Sequence, residues 1–538
     1  YRNMGKELTI IIFFLWSLQA LRQALNWVYW WQVKEYRFDR FRLLLESKEG
    51  KKNLEINLII TKFTCLLLAL FLGIYYPALL LFTWLNLKLI REVFLRQLRK
   101  PIFTLRAIEL FLTTLFGMFL IVFLSYQSGI IASNLAFGEI LLLGLPVVGI
   151  LWSRPLVERS KTKVINKAMY RLSIVKPIVI GVTGSYGKTT TKDFIASLLS
   201  QKYQVEKTPT SQNTPVGVAR KTANLSRDTK IFVVEMGAYK KGEIKTVADI
   251  VKPQIGVITG IEPQHLALFG SLQNIKEAKY ELIQALPKNG QAIFNGNNTD
   301  CLEMLEWARR DGREVFVCQV LDRDNQKRKA DLRLKIEKIS LTGSTITVHY
   351  GRIKKTMETL IPSPHLLQNL GAAILVAKKL GVNWQQIEKG VKTLDLSGRA
   401  MRTQNLPSKG ILVDDSYNST PHAFVAALDH LKMFKKRRIV FMTGIIELGK
   451  TTYQVHEEIG KKLGQIADEI ILTNSDAKEG ILAGLGDNSK KLVVVTNPNR
   501  LAEKIKYYLR LDCAILLEGR MPASVNKAVQ KETEREKQ

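Results

Sequence analysis

Apolar positions are arranged in two ways along this chain. Over roughly the first 150 residues they form long runs with no repeating polar face, at residues 8–31, 56–90, 102–125 and 129–152. Beyond that point they come as short β-branched clusters separated by mixed stretches. A run of about 20 apolar residues crosses the hydrocarbon core of a bilayer as a helix, and a buried core helix seldom runs that long without a polar side. Residues 1–153 are therefore expected to form a helical transmembrane region of about five spans. The run at 56–90 is interrupted near Pro77 and supplies two short passes or one re-entrant hairpin. Several runs follow one another, which is unlike a single cleavable signal peptide.

The remainder alternates. A β-branched run at 178–182 leads into a glycine-rich turn and a helix-like stretch at 191–199; strand-like runs follow at 231–234 and 255–259, then a helix at 275–286. Later strand-like runs at 439–442, 469–472, 492–495 and 514–517 are separated by helix-like runs at 455–467, 501–509 and 523–531. Such alternation predicts a doubly wound α/β fold. The expected organisation is a central α/β domain over 154–397 and a second α/β domain over 398–538. The charged, β-rich segment 320–360 is expected as an excursion of the central domain, and residues 531–538 as a frayed end.

Charge adds an orientation. The formal net charge is +31, which points to anionic lipid headgroups or to a polyanion as partner. Much of the excess lies beside the apolar runs: Lys34, Arg37, Arg40, Arg42, Lys48, Lys51 and Lys52 after the first, Lys88, Arg91, Arg96, Arg99 and Lys100 near the third, and Arg154, Arg159, Lys161 and Lys163 after the last. That placement favours membrane lipid, and no zinc-finger or aromatic-basic pattern supports nucleic acid. The connection Tyr126-Gln127-Ser128 is uncharged. By the positive-inside rule the basic loops, and with them the soluble part, face the cytoplasm of a multi-pass cell-membrane protein. Arg2 and Lys6 lie on the wrong side of this scheme. Residues 36–42 alternate aromatic and charged positions, which suits a segment on the membrane surface or a solvated loop equally. Cys65, Cys301, Cys318 and Cys513 are scattered, which argues against a disulfide framework or zinc site.

The sharpest local chemistry is Gly181-Val182-Thr183-Gly184-Ser185-Tyr186-Gly187-Lys188-Thr189-Thr190, between a strand and a helix. Glycines let backbone N–H groups close around phosphate oxygens, and the helix N-terminus adds positive potential. Lys188 would reach the β- and γ-phosphates of a nucleotide and the Thr189 hydroxyl would ligate magnesium. Val182 stands where the longer phosphate-loop pattern has its first glycine, so this is a shorter G-x-x-G-K-T form. The strand 231–234 ends at Glu235, where ligands of a parallel sheet gather. A lone acid there is usually a solvated turn residue; the preceding phosphate loop favours a magnesium ligand. His265 follows the next strand, and Lys279 lies on the next helix.

The order of blocks GVTGSYGKTTTK, TSQNTPVG, VVEMGAYKKGEI, HLALFGSLQNIKEAKYEL, SGRAM, ILVDDSYNSTPHAFVAAL and IIELG resembles the Mur ligase family, in particular its D-alanyl-D-alanine-adding branch, from about Gly181 to the C-terminus. The resemblance implies a phosphate-loop central domain, a Rossmann-like C-terminal domain, and an ATP-dependent amide ligase. An amino acid or dipeptide, D-alanyl-D-alanine for this branch, would be added to a peptidoglycan precursor through an acyl phosphate. It implies ATP bound by Gly184, Gly187, Lys188, Thr189, Thr190, Asn369 (against adenine), Arg399 and Asp415. It implies two Mg²⁺ ions held by Thr189, Glu235, His265 and a carbamylated Lys279, with Lys188, His265 and Lys279 as the catalytic set. Asn213, Thr214, Asn418 and Glu447 would contact substrate.

Departures from the family pattern are His365-Leu366 before the adenine asparagine, Thr443-Gly444 before the Glu-Leu-Gly block, and Glu518-Gly519-Arg520 near the end. The last two lie toward the amine side and leave the incoming amine open. The family's UDP-sugar-binding domain has no room between the last apolar run and Gly181, and the membrane region stands in its place. The acceptor, a UDP- or lipid-linked muropeptide, is then expected to be held at the bilayer, which suits the lipid-linked form, with the protein acting as a monomer. The alternatives are a poly-γ-glutamate synthetase-like or lipid-linked precursor-modifying ligase of the same mechanism, and a nucleotide-binding scaffold without activity.

Overall fold

The computed structural model describes residues 2–534 except 47–49, 51–54, 73, 96–97, 129–130, 211, 264–265, 322–328, 341–342, 395–401, 417–419, 446–447 and 449–450. The chain divides into two compact units, Tyr1–Thr162 and Lys163–Gln538.

The first unit is helical, with Arg2–Val33, Phe38–Glu46, Ile56–Leu72, Tyr76–Phe94, Leu105–Ser128 and most of Ile131–Val175. Pro77 sits in the first turn of Tyr76–Phe94, where its missing N–H removes no helical bond, so the run at 56–90 becomes two helices. Among the described residues, Glu7–Val33, Leu105–Leu124 and Leu141–Val175 are long and apolar enough to cross a membrane by length and composition, and Ile56–Ala69 is a shorter apolar helix. These three fall short of the expected number because Ile56–Leu72 has only 17 residues and Tyr76–Phe94 carries Lys88, Arg91 and Glu92.

This unit is apolar outside and partly polar inside. Phe14, Phe71, Leu80, Trp84, Ile90, Phe116 and Phe119 are exposed. Small residues such as Ala20, Ala24, Ala69 and Ala78 are buried, which lets helix backbones approach closely. Along one face of Arg2–Val33, Gln19 donates to Asn86, Arg22 is gripped by Glu55 and Glu92, and Gln23 accepts from Lys62 at 2.6 Å. Lys62 also lies 2.8 Å from Glu139, and both are buried. Glu139→Leu leaves that ammonium without its counter-charge and is expected to cost about 3–5 kcal/mol. The measurement is the Tm of the purified chain, and the double change Lys62→Met, Glu139→Leu should recover most of the loss.

The helix Ile131–Val175 does not stop where its apolar run does, although Pro146 and Pro155 lie within it. Its later turns bury Ala168 and pack Val164, Ile165 and Leu172 into a core of the second unit. The unit boundary consequently falls at 162 rather than 153.

The second unit holds two sheets. The larger has nine strands in the order β2-β3-β1-β4-β5-β6-β7-β8-β9. These are β1 Ile178–Thr183, β2 Val205–Lys207, β3 Ile231–Glu235, β4 Ile255–Ile258, β5 Gln291–Asn295, β6 Glu314–Leu321, β7 Leu332–Ser340, β8 Gly343–Tyr350 and β9 Ile353–Thr359. Pairing is parallel from β2 through β7 and antiparallel in the β7–β8–β9 meander, which is the expected β-rich excursion. The central strands are apolar throughout because helices cover both faces. Lys188–Leu199, Pro364–Lys379 and Trp384–Lys392 pack through Phe194, Leu198, Leu367 and Ile387 into one core. Glu243–Val251, Leu272–Gln284 and Thr299–Arg310 pack through Val247, Leu282 and Met304 into the other.

The smaller sheet has six strands in the order β10-β11-β15-β12-β13-β14. They are β10 Arg402–Asn405, β11 Ile411–Asp415, β12 Arg437–Met442, β13 Glu469–Leu472, β14 Leu492–Val494 and β15 Cys513–Glu518, parallel except at β10. The helix Pro421–Lys432 follows β11, with Thr420 accepting from the Ala423 N–H at its start. Phe424 and Leu428 of this helix share a core with Leu367 and Leu370 below the larger sheet.

Candidate nucleotide-binding site

The site begins where β1 ends. β1 lies between β3 and β4, so the turn 184–187 leaves the middle of the parallel array at its carboxyl edge. Two glycines are required there. Gly184 has φ +154°, and a Cβ on it would stand 2.1 Å from the Thr259 hydroxyl; Gly187 has φ +72°, and its Cβ would stand 2.5 Å from Asn369 Oδ1. The turn is braced from β4: the Ser185 N–H donates to the Gly260 carbonyl at 2.7 Å, and Ser185 Oγ accepts from the Glu262 N–H at 3.0 Å. The helix Lys188–Leu199 then starts with its N–H groups facing the turn.

Four of the expected residues meet at this edge. The Lys188 ammonium donates to the Gly184 and Ser185 carbonyls at 2.8 and 3.0 Å, and burial lowers its pKa. The Thr189 hydroxyl donates to Glu235 Oε2 at 2.8 Å. Asn213 Nδ2 donates to Glu235 Oε1 at 2.9 Å, which turns this amide toward the acid of β3. Lys192, a residue with no sequence signal of its own, lies fully buried 3.6 Å from the same carboxylate. Thr190 lies in the first turn of the helix, beside Thr191, whose hydroxyl donates to Asn369 Oδ1 at 3.1 Å. Asn369 is buried against the turn, and among the described residues its Nδ2 has no hydrogen-bond partner.

Lys279 sits on Leu272–Gln284 and is 4% exposed. Burial first, and the charge of Lys188 second, bring its pKa down to about 7, against the pull of Glu243 and Glu281. Thr214 caps the helix Pro215–Thr222 by accepting from the Gly217 N–H. Asp415 ends β11, in register with Glu518 at the end of β15. His265, Arg399, Asn418 and Glu447 lie outside the described residues.

One cluster was invisible in the sequence. The ring of Tyr186, at the tip of the phosphate turn, lies 5.2 Å from the His365 imidazole and 5.4 Å from that of His422, and the two imidazoles are 4.9 Å apart. Burial, then His422, pushes the His365 pKa down to about 3, so it is neutral at working pH. Glu262 is pushed up to about 7 by burial, partly offset by hydrogen bonds from Thr420 and the His422 backbone. The start of Pro421–Lys432 is thereby held over the phosphate turn. These residues come from four separate stretches of chain, and only the α/β topology brings them together.

Comparison with known proteins agrees with this geometry. The Mur ligase middle domain matches residues 182–377, and the Mur ligase glutamate ligase domain matches residues 401–521. A UDP-N-acetylmuramoyl-tripeptide–D-alanyl-D-alanine ligase of Synechocystis is 33% identical over 309 residues, which cover 57% of this chain and 64% of that protein. The enzyme of the same name from Bacillus subtilis is 30% identical over 58% of this chain and 68% of its own length. The chain thus spans just under two-thirds of the Synechocystis relative. A crystal structure of MurF from Acinetobacter baumannii superposes with a TM-score of 0.60 at 25% identity, covering 70% of this chain and 80% of that one. MurF from Thermotoga maritima, solved in complex with ADP, shares the fold with a TM-score of 0.59 at 24% identity over 70% of this chain and 85% of its own. With the sheet order, the braced phosphate turn and both matched domains in agreement, the chain belongs to the Mur ligase family.

Proposed function

We propose that this chain is an ATP-dependent amide ligase that extends a cell-wall precursor, the added unit being D-alanyl-D-alanine as in the names of its relatives. The observation that carries the reading is the gathering of Lys188, Thr189, Glu235 and Asn213 around one phosphate turn, with the buried Lys279 beside Lys188. In the proposed reaction an oxygen of the acceptor carboxylate attacks the γ-phosphorus, and the bond to ADP breaks with its electron pair leaving on ADP. The amine nitrogen then attacks the carbonyl carbon of the acyl phosphate, phosphate departs, and the amine sheds a proton to solvent.

Lys188 and the turn N–H groups would hold the phosphates in line and offset the charge that develops on them. Magnesium fits the donors present: Thr189 and Glu235 offer hard oxygens 2.8 Å apart, and this ion is usually held by one or two carboxylates plus substrate phosphates. When bound, it would neutralise charge on the converging anions. Among the described residues no group of three or more His, Cys, Asp or Glu gathers, so a second ion would depend on His265 and on a carbamate at Lys279. A buried amine weakened to about 7 is nucleophilic toward CO2 near neutral pH, which fits that modification. The Tyr186–His365–His422 contact would help exclude water from the acyl phosphate.

The first unit is proposed as a multi-pass membrane region with its basic end cytoplasmic. Its apolar exterior and ion-paired interior invert the pattern of a soluble bundle. The acceptor is then proposed to be lipid-linked. Purified chain given ATP, Mg²⁺, D-alanyl-D-alanine and glutamate should raise the mass of an undecaprenyl-linked muropeptide by one D-alanyl-D-alanine unit, and work poorly on the UDP-linked form. Strong preference for the UDP-linked form would sink the lipid assignment, and a gain of one glutamate would favour the poly-γ-glutamate alternative.

A further inference from the structure

The basic end of the helical unit contains a surplus of hydrogen-bond donors. One apolar layer joins Trp27, Trp31, Phe41, Ala107 and Ile150, with Trp30 and Tyr36 packed against it. Within this layer the indole N–H groups of Trp27, Trp30 and Trp31 and Arg106 Nε are shielded from solvent and, among the described residues, have no hydrogen-bond partner; the shielded Tyr36 oxygen lies within reach of the Thr104 and Gln32 side chains. Trp27 and Trp31 are 3% and 2% exposed, so water does not serve them from bulk. Leaving one buried donor unmet costs on the order of 1–3 kcal/mol, and so many in one layer call for an acceptor-rich partner. Trp16, in a separate apolar cluster, also has an unmet N–H among the described residues.

Arg106 differs from three neighbouring arginines at this end. Arg37 pairs with Asp39, Arg40 with Glu35 and Arg42 with Glu46. Among the described residues Arg106 has no carboxylate at ion-pair distance; Glu109 and Glu158 act on it only from further away. Its guanidinium lies 4.2 Å from the centre of the Tyr36 ring, a cation–π contact that restrains the fork. It belongs to the first turn of Leu105–Ser128, whose dipole adds positive potential. The approach to that turn is fixed, because Gln32 exchanges two hydrogen bonds with the Ile102 backbone, at 2.7 and 2.8 Å. Arg99 stands over the Trp30 ring on the same rim.

We propose that this end of the helical unit binds the phosphate or diphosphate headgroup of a membrane lipid, with Arg106 and Tyr36 as its central donors. A phosphate oxygen accepts from a guanidinium N–H and a phenol O–H together. The apolar layer below would receive the first part of the lipid chain, which a free anion lacks. The inference rests on the reading of this unit as membrane-spanning, and it would place a lipid-linked acceptor at the chain's own basic rim.

The test uses the full chain in detergent, with lipid binding read by native mass spectrometry. The probes are phosphatidylglycerol, an undecaprenyl diphosphate, diacylglycerol and inorganic diphosphate. Both phosphate lipids are expected to bind, Arg106→Gln to weaken them about tenfold, Tyr36→Phe to weaken them less, and Arg106→Lys to recover most of the loss. Diacylglycerol binding should not respond to any of these changes. A preference for undecaprenyl diphosphate over phosphatidylglycerol would identify the headgroup as that of an isoprenoid carrier, and equal binding would identify a general anionic lipid. Unchanged binding in Arg106→Gln, or full displacement by an equal concentration of inorganic diphosphate, would overturn the proposal. Release of the chain from membranes by alkaline carbonate would instead overturn the membrane reading itself, so the two failures are distinguishable.

Discussion

Lys188→Ala is expected to lower ATP-dependent turnover by about a thousandfold or more, with little loss of folded stability. The ammonium is buried at the mouth of the phosphate turn, where among the described residues its hydrogen bonds go to the carbonyls of Gly184 and Ser185 and the charge of Glu235 favours it from further away. Two carbonyls are weak company for a buried cation, as its lowered pKa records, so its removal relieves a desolvation cost while it deletes the charge that faces the phosphates. Lys188→Arg should not restore activity. A planar fork is wider than an ammonium, and the turn closes behind it on Thr259 and Gly260. ADP release followed with a coupled enzyme, beside a melting curve, separates the two effects. Equal turnover in Lys188→Ala would remove the phosphate turn from the chemistry.

The second large effect concerns Lys279. Its pKa of about 7 means that the amine is mostly charged at pH 6 and mostly neutral at pH 8. Only the neutral amine adds CO2, so activity is expected to fall as pH drops through about 7 and to fall again in CO2-depleted buffer. Stability follows a related rule. The folded state binds fewer protons than the unfolded chain between about 7 and the ordinary 10.5, so this residue's burial penalty is full below pH 7 and shrinks as pH rises through that window. Lys279→Met should therefore unfold at a higher temperature than the unchanged chain at pH 6, yet lose activity about a hundredfold or more. A flat activity profile from pH 6 to 8, insensitive to CO2, would contradict the role given to Lys279.

Much of this site could be read along the chain because its chemistry is local. The turn 184–187, Lys188 and Thr189 are contiguous, and Glu235 is marked by the β-branched strand it ends. What the sequence withheld depends on contacts between distant segments. Asn213 and Lys192 both address Glu235, yet neither position announces it. Tyr186, His365 and His422 meet only after both sheets have formed.

The helical unit shows the same division. Run length foretold its helices, but averaging over a run hides single polar residues. The pairing of Lys62 with Glu139, and the donors around Arg106, emerge only from helix packing. The last helix outran its apolar segment because residues 154–175 are good helix formers that have a second core to enter.

The most direct test of the central claim follows oxygen. An acceptor carrying 18O in its reacting carboxylate is incubated with the full chain, ATP, Mg²⁺ and D-alanyl-D-alanine, and the released phosphate is analysed by mass. Delivery of the terminal phosphoryl group to the carboxylate requires one labelled oxygen in each phosphate formed, with ADP as the other product. Phosphate bearing oxygen only from water or ATP, or AMP in place of ADP, would contradict it.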